Sequence, residues 1–269
     1  MATETAYAKI NLALHVRRRR DDGYHDLETL FAFVDGGDRL TATGAEQDRL
    51  SVTGEFAAAL NDPFDNIVGR ALSALPRADG LAVTLEKNLP VAAGLGGGSA
   101  DAGAIFRLVK ARSGLPDDWR ERAARLGADV PACVLSETCI GRGTGIDLEP
   151  VESDLTGTPV LLLNPRLPLP TGPVFAGWDG VDRGGLPAGQ VSRIAREGRN
   201  DLEASAITQM PAITDMLSAL RESGAWLARM SGSGATCYAL FDDDSACGHA
   251  AALIAERHPH WWRMQGTLR

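Results

Sequence analysis

With 269 residues, the chain is long enough for one large domain or two ordinary ones, and 44% hydrophobic residues can fill real cores. A formal net charge of −8 argues against a phosphate-backbone binder, which needs a basic surface, so nucleic acid is not an expected partner and an anionic ligand must meet a local cationic site. Cys133, Cys139, Cys237 and Cys247 form no C-x-x-C pair and stand by no clustered histidines, which points to reduced thiols rather than a zinc site or a disulfide framework. Glu4 and Lys9 interrupt any signal-like apolar core, and no run of about 20 apolar residues follows, so no membrane partner and a cytoplasmic location are expected.

Along the chain, Tyr7 to Val16 alternates like a strand, with Ile10, Leu12, Leu14 and Val16 on one face and Lys9, Asn11, Ala13 and His15 on the other. Lys9 on this pattern is either a solvated lysine of an edge strand or a functional group. The basic run Arg17 to Arg20 is followed at once by Asp21, Asp22 and Gly23, which reads as a solvated hairpin tip. Asp65 to Leu75 reads as a helix with apolar positions at Ile67, Ala71, Leu72 and Leu75, and Leu81 to Leu85 as a strand.

The densest signal follows that strand. Pro90-Val-Ala-Ala-Gly-Leu-Gly-Gly-Gly-Ser-Ala-Asp101 places four glycines within five residues and leads into Ala102, Ile105, Phe106 and Val109 at helical spacing, with Ser99 expected to cap the first turn. Glycines remove the Cβ atoms that would keep an anion away, and the amides and dipole of a helix start favour phosphate oxygens. The dinucleotide fingerprint is excluded because it needs glycine where Ser99 stands, and the P-loop because Gly98 is followed by Ser99-Ala100 rather than Lys-Ser/Thr.

Beyond the loop, Pro116 to Leu126 suggests a helix stopped by Gly127. In Gly127-Ala-Asp-Val-Pro131 the proline is expected to press Val130 towards an extended conformation and fix Asp129 at a rigid corner, although Asp129 would equally suit the cap of a short helix starting at Pro131. A polar run from Glu152 to Pro159 suggests a domain boundary before the apolar strand Val160 to Leu163. Met230-Ser-Gly-Ser-Gly-Ala235 is a second glycine turn ahead of a strand-like run from Thr236 to Phe241. A helix near Asp244 to Glu256 and a strand near Trp261 to Leu268 would complete an antiparallel sheet with helices on one face.

The run Pro90 to Asp101 resembles the ATP-binding motif of the GHMP kinases, and nearly the whole chain is similar to the branch of that family acting on a cytidine diphosphate-linked methylerythritol. Ala8-Lys-Ile-Asn-Leu12, Asp22-Gly-Tyr-His25, Gly127-Ala-Asp-Val-Pro131, Thr171-Gly-Pro-Val-Phe175 and Asn200-Asp-Leu-Glu203 carry the same likeness. The resemblance implies an α+β, two-domain GHMP kinase fold, with an N-terminal ribosomal-protein-like α/β domain over 1–153 and a C-terminal ferredoxin-like domain over 154–269. It implies a bacterial phosphotransferase with ATP as co-substrate, Mg²⁺, a small-molecule substrate and a monomeric or weakly dimeric state. Lys9 and Asp129 would be catalytic. Pro90, Val91, Ala92, Ala93, Gly94, Leu95, Gly96, Gly97, Gly98, Ser99 and Ala100, with Asn66 and Lys87, would hold the nucleotide, while a solvated Lys87 is the alternative. Asn11, Tyr24, His25, Thr171 and Phe175 would hold the substrate, Tyr24 and Phe175 stacking on opposite faces of its cytosine. The Met230 to Ala235 turn would support the phosphate loop. Two departures, Ala100 where a second serine is usual and Arg142-Gly-Thr-Gly-Ile-Asp147 where Gly-Ile-Gly-Glu is common, leave the metal ligands unassigned. Alternatives are a homoserine or mevalonate type of small-alcohol kinase, against which the aromatic base clamp speaks, and a non-catalytic nucleotide-binding regulator.

Overall fold

A computed structural model describes residues 1–60 and 66–269. In chain order the strands and helices are β1 (Ala2–Arg19), β2 (His25–Ala45), β3 (Arg49–Thr53), α1 (Ile67–Ala74), β4 (Gly80–Glu86), α2 (Gly97–Ser113), α3 (Trp119–Leu126), α4 (Val130–Leu135), β5 (Cys139–Gly143), β6 (Asp147–Pro150), β7 (Pro159–Asn164), α5 (Thr171–Ala176), α6 (Val191–Glu197), α7 (Glu203–Gln209), α8 (Ala212–Glu222), β8 (Leu227–Met230), β9 (Cys237–Leu240), α9 (Asp244–Arg257) and β10 (Trp262–Thr267). Asp65, read above as the start of a helix, lies outside the described residues.

The chain forms two compact units, one of Met1–Lys9, Gly36–Val91 and Gly96–Ser136, the other of Ile10–Asp35, Ala92–Leu95 and Glu137–Arg269. In the first, β4 pairs antiparallel with the C-terminal half of β2 and parallel with β3, so one parallel pair enters an otherwise antiparallel pattern. Helix α2 packs against α1 and α4. Ala100, Gly103 and Ala104 share one face of it, small and buried. A Cβ on Gly103 would stand 2.5 Å from the Cys133 carbonyl oxygen, so glycine is what lets α4 come this close. Arg107 of α2 then bolts the C-terminus of α4 to β1, donating to the Cys133 carbonyl at 2.6 Å, the Thr5 carbonyl at 2.6 Å and the Glu4 carboxylate at 2.9 Å.

Two expectations for this unit fail. Ser99 does not cap α2: the helix starts at Gly97, and its N-cap is Gly96 at φ +59°, a left-handed backbone that glycine adopts without strain. Nor is Val130 extended, because it is the first residue of α4, where proline in the first turn costs no backbone hydrogen bond.

In the second unit β5 pairs with the N-terminal half of β2 and with β6, while β10, β7, β9 and β8 form a four-stranded antiparallel sheet in that order. All six residues of β7 are buried, and Leu161 and Leu163 share a core with Ile213, Leu217, Cys237, Ala239 and Ile254. From Pro159 to Leu163 the sequence pattern is apolar rather than alternating, as burial of both faces requires. Cys133, Cys139, Cys237 and Cys247 are all buried. Among the described residues no helix is long and apolar enough to cross a membrane.

Candidate active site

Strand β1 is expected to present Lys9 and Asn11 on one face. Both are buried rather than solvated, at 4% and 3% exposure, which removes the edge-strand reading of Lys9. The Lys9 ammonium meets Asp129 Oδ2 at 2.9 Å, and the aspartate side chain stays one third exposed. Asp129 occupies the N-cap position of α4, yet its carboxylate makes no capping hydrogen bond. The carboxylate is thus committed to the lysine and to solvent, not to holding the helix. α2 starts directly above this pair, since a Cβ on Gly96 would lie 3.0 Å from Lys9 Cε and 3.8 Å from Asp129 Oδ2.

That helix start presents amides with no side-chain cap, and a Cβ on Gly98 would meet only Ile67 Cγ2 at 3.5 Å. A 17-residue helix with such an end favours phosphate oxygens there. Beneath Gly97 lies a second cationic group: a Cβ there would stand 3.2 Å from Lys87 Nζ. Lys87 is not solvated but 2% exposed, bonded to Asp38 Oδ2 at 2.5 Å and Asp101 Oδ2 at 2.7 Å. Asp38 Oδ1 accepts from the Asn88 and Leu89 amides at 2.6 and 2.8 Å, pinning the chain just before the glycine loop. Burial alone would lower the Lys87 pKa, but the two carboxylates outweigh it and hold the ammonium above its ordinary range. Burial pushes the Asp101 carboxyl up to about 8, a rise that Lys87 opposes and Asp38 reinforces. Asp101 Oδ1 finds no hydrogen-bond partner among the described residues, which suits a carboxyl that keeps a proton. Asn66 caps α1 by accepting from the Val68 amide at 2.9 Å.

In the second unit, residues 92–95 of the glycine loop rest on the second glycine turn. The Ser231 hydroxyl donates to the Gly94 carbonyl at 2.8 Å and the Thr236 amide to the Ala93 carbonyl at 3.1 Å. Gly94 has φ +75°, and a Cβ on it would lie 2.3 Å from the Ser231 carbonyl oxygen, so no other residue fits. The Asn11 side chain donates to Thr29 Oγ1 at 2.7 Å, and its backbone amide to Ser231 Oγ at 3.2 Å.

Three residues to which the sequence reading gave no role brace this region. Asn200 donates to the Met230 and Gly232 carbonyls, both at 2.8 Å. Arg229 is buried and donates to the carbonyls of Leu12, Ala195 and Gly198. Tyr238, whose phenol burial pushes up to about 12, donates to the Asn11 and Leu12 carbonyls at 3.2 and 3.3 Å.

The aromatic candidates also meet in this unit. His25 lies 5.2 Å from the Phe175 ring, tilted by 42°, and Trp178, a residue the sequence did not suggest, stands edge-on to it at 5.8 Å. Tyr24 is 64% exposed beside this cluster in the chain, and Thr171 Oγ1 lies 3.1 Å from Ser233 Oγ. Burial and the neighbouring Arg19 charge keep the His25 pKa below its ordinary value, so the ring is neutral at physiological pH.

In one unit an ion pair with a partly exposed carboxylate lies under an open, glycine-lined helix start, and in the other an aromatic cluster surrounds a histidine. Residues 66–137 match the GHMP kinases N terminal domain and residues 186–254 match GHMP kinases C terminal. A 4-diphosphocytidyl-2-C-methyl-D-erythritol kinase of Erythrobacter litoralis is 63% identical, with all of both chains covered. One from Novosphingobium aromaticivorans is 65% identical over 99% of this chain and 92% of its own. Among solved structures, a 4-(cytidine 5'-diphospho)-2C-methyl-D-erythritol kinase superposes with a TM-score of 0.84 at 31% identity, covering 99% of each chain. The chain therefore belongs to the 4-diphosphocytidyl-2-C-methyl-D-erythritol kinase family, with the two-domain α+β fold of the GHMP kinases.

Proposed function

We propose that this protein transfers the γ-phosphoryl group of ATP to the 2-hydroxyl of 4-diphosphocytidyl-2-C-methyl-D-erythritol, a step towards isoprenoid precursors by the non-mevalonate route. The observation that carries the reading is the Lys9–Asp129 pair beneath Gly96, which sets a partly exposed carboxylate and a fixed ammonium at the start of α2. Asp129 accepts the hydroxyl proton as the substrate oxygen forms its bond to γ-phosphorus and the bond to the β-phosphate oxygen breaks, releasing ADP. Lys9 holds the Asp129 carboxylate in place and offsets charge on the reacting oxygens. The uncapped amides of α2 hold the nucleotide phosphates, with Pro90 to Ala100 as the cradle and Asn66 near the base. Lys87 acts on the nucleotide from below, by fixing the loop.

Magnesium suits this arrangement. The described residues hold no group of three metal-ligating side chains, and Mg²⁺ ordinarily rides on nucleotide phosphates with one or two protein oxygens. Asp129 is the carboxylate at the loop that fits such a place, and the ion would neutralise phosphate charge. Asn11, Thr171, Tyr24, His25 and Phe175 would hold the substrate, with Tyr24 and Phe175 offering faces to the base and His25 a polar edge. We keep the domain division at 153/154, supported by the polar run ahead of β7, and a cytoplasmic enzyme.

Incubation with ATP, Mg²⁺ and a panel of alcohols, following ADP release, tests the reading: turnover is expected with the cytidyl substrate, and turnover only with homoserine or mevalonate would overturn it. Phe175→Ala is expected to raise the KM for the cytidyl substrate about tenfold, the scale of one lost aromatic contact, with the KM for ATP nearly unchanged.

A further inference from the structure

The hairpin joining β1 to β2 closes with the Arg20 amide donating to the Tyr24 carbonyl at 2.8 Å, which brings Arg19, the last residue of β1, against His25, the first of β2. Arg19 Nε lies 3.4 Å from His25 Nε2, and Arg19 Nη2 donates to the Ala176 carbonyl at 2.9 Å, at the end of the helix that carries Phe175. A guanidinium has donors and no acceptor, and it does not lose its proton. The nitrogen facing it must therefore carry a lone pair, and in a neutral ring the proton sits on Nδ1. His25 Nδ1 makes no hydrogen bond to any described residue.

We propose that Arg19 is a positioning residue that holds the His25 ring neutral with its proton on Nδ1, so that the ring offers a nucleobase a donor and the site favours cytidine over uridine. This rests on the reading of His25 as a base contact. A fixed donor pairs with cytosine N3, an acceptor, whereas the same atom of uracil carries a proton and would meet it donor to donor. The charges around the ring agree with this assignment. Asp22 and Asp26, its chain neighbours, are taken up by Arg20 and Arg18, while Phe175 and Trp178 bring no charge. Burial and Arg19 both push the His25 pKa down.

Long-range ¹H–¹⁵N spectra of His25 in the full-length protein test the inference, alongside calorimetric binding of CDP and UDP. The wild type is expected to show Nδ1–H with bare Nε2 and to prefer CDP. Arg19 is exposed, so Arg19→Leu should fold; it is expected to let the proton move to Nε2, raise the His25 pKa and cut the CDP preference about tenfold, the cost of one mismatched buried donor. Arg19→Lys, also a donor without an acceptor, should keep the wild-type tautomer. A wild-type ring protonated on Nε2, an unchanged spectrum in Arg19→Leu, or equal binding of CDP and UDP by the wild type would overturn the proposal. If the tautomer shifts as expected but the cytidyl substrate is not phosphorylated, it is the proposed function that falls.

Discussion

Two lysine–aspartate clusters lie under consecutive glycines at the start of α2, and they differ in one property. Lys9 pairs with an Asp129 that is one third exposed, while Lys87, Asp38 and Asp101 are each 3% exposed or less. The same chemistry therefore serves two ends. A carboxylate open to solvent can meet a substrate hydroxyl and take its proton. A closed triad cannot be reached, and its donors and acceptors go to the chain itself, tying the Asn88 and Leu89 amides to Asp38 so that the glycine loop departs from a fixed point. Burial, rather than residue type, separates the pair proposed to react from the scaffold.

Breaking the closed cluster should affect folding most. Lys87→Met leaves the buried Asp38 and Asp101 without their cation, and a stability loss of about 3–5 kcal/mol is expected in chemical denaturation, the range for stranding a buried charge. Removing Lys9 from the open pair should cost far less stability, because Asp129 can turn to water. A smaller rupture is Gly96→Val, where the side chain meets a left-handed backbone and Lys9 Cε at once. The strain is about 1–3 kcal/mol. The expected readout is a KM for ATP raised by about tenfold or more, and an unchanged KM would place the phosphates elsewhere. The smallest effect is pH dependence. Because the Asp101 pKa is raised in the folded state above its unfolded value, the folded chain holds the extra proton, and the stability it brings is present at low pH and lost as pH rises through about 8. The melting temperature of the wild type should fall as pH rises towards about 8, and Asp101→Asn should lack that part of the fall.

The glycine loop and the alternation of β1 are local patterns, legible because each lies within about a dozen residues, whereas the Gly127 to Pro131 segment is a helix start rather than the extended corner its proline suggests. What the sequence hides is partnership. Lys87 looks like a solvated lysine until folding brings up Asp38, 49 positions away, and Asp101, 14 away. Arg107, Arg229 and Asn200 are ordinary polar residues in the chain, yet their side chains collect backbone carbonyls from distant segments, and no periodicity announces that. Trp178 escaped because a lone tryptophan in a loop reads as core. The misplaced cap at Ser99 has a different cause: hydroxyl caps are the common choice, but close approach to Lys9 requires a residue without a side chain, so glycine takes the cap position and its left-handed backbone.

Asp129→Asn keeps the size of the side chain and removes the basic oxygen, so it separates chemistry from architecture more cleanly than any other change. Measured at saturating ATP and cytidyl substrate, kcat is expected to fall by about 10² to 10⁴, the contribution of a positioned acid–base group, while the melting temperature and both substrate dissociation constants move little. A folded Asp129→Asn protein with near-normal kcat would contradict the account, since the open lysine–aspartate pair would then be scaffold like its closed neighbour.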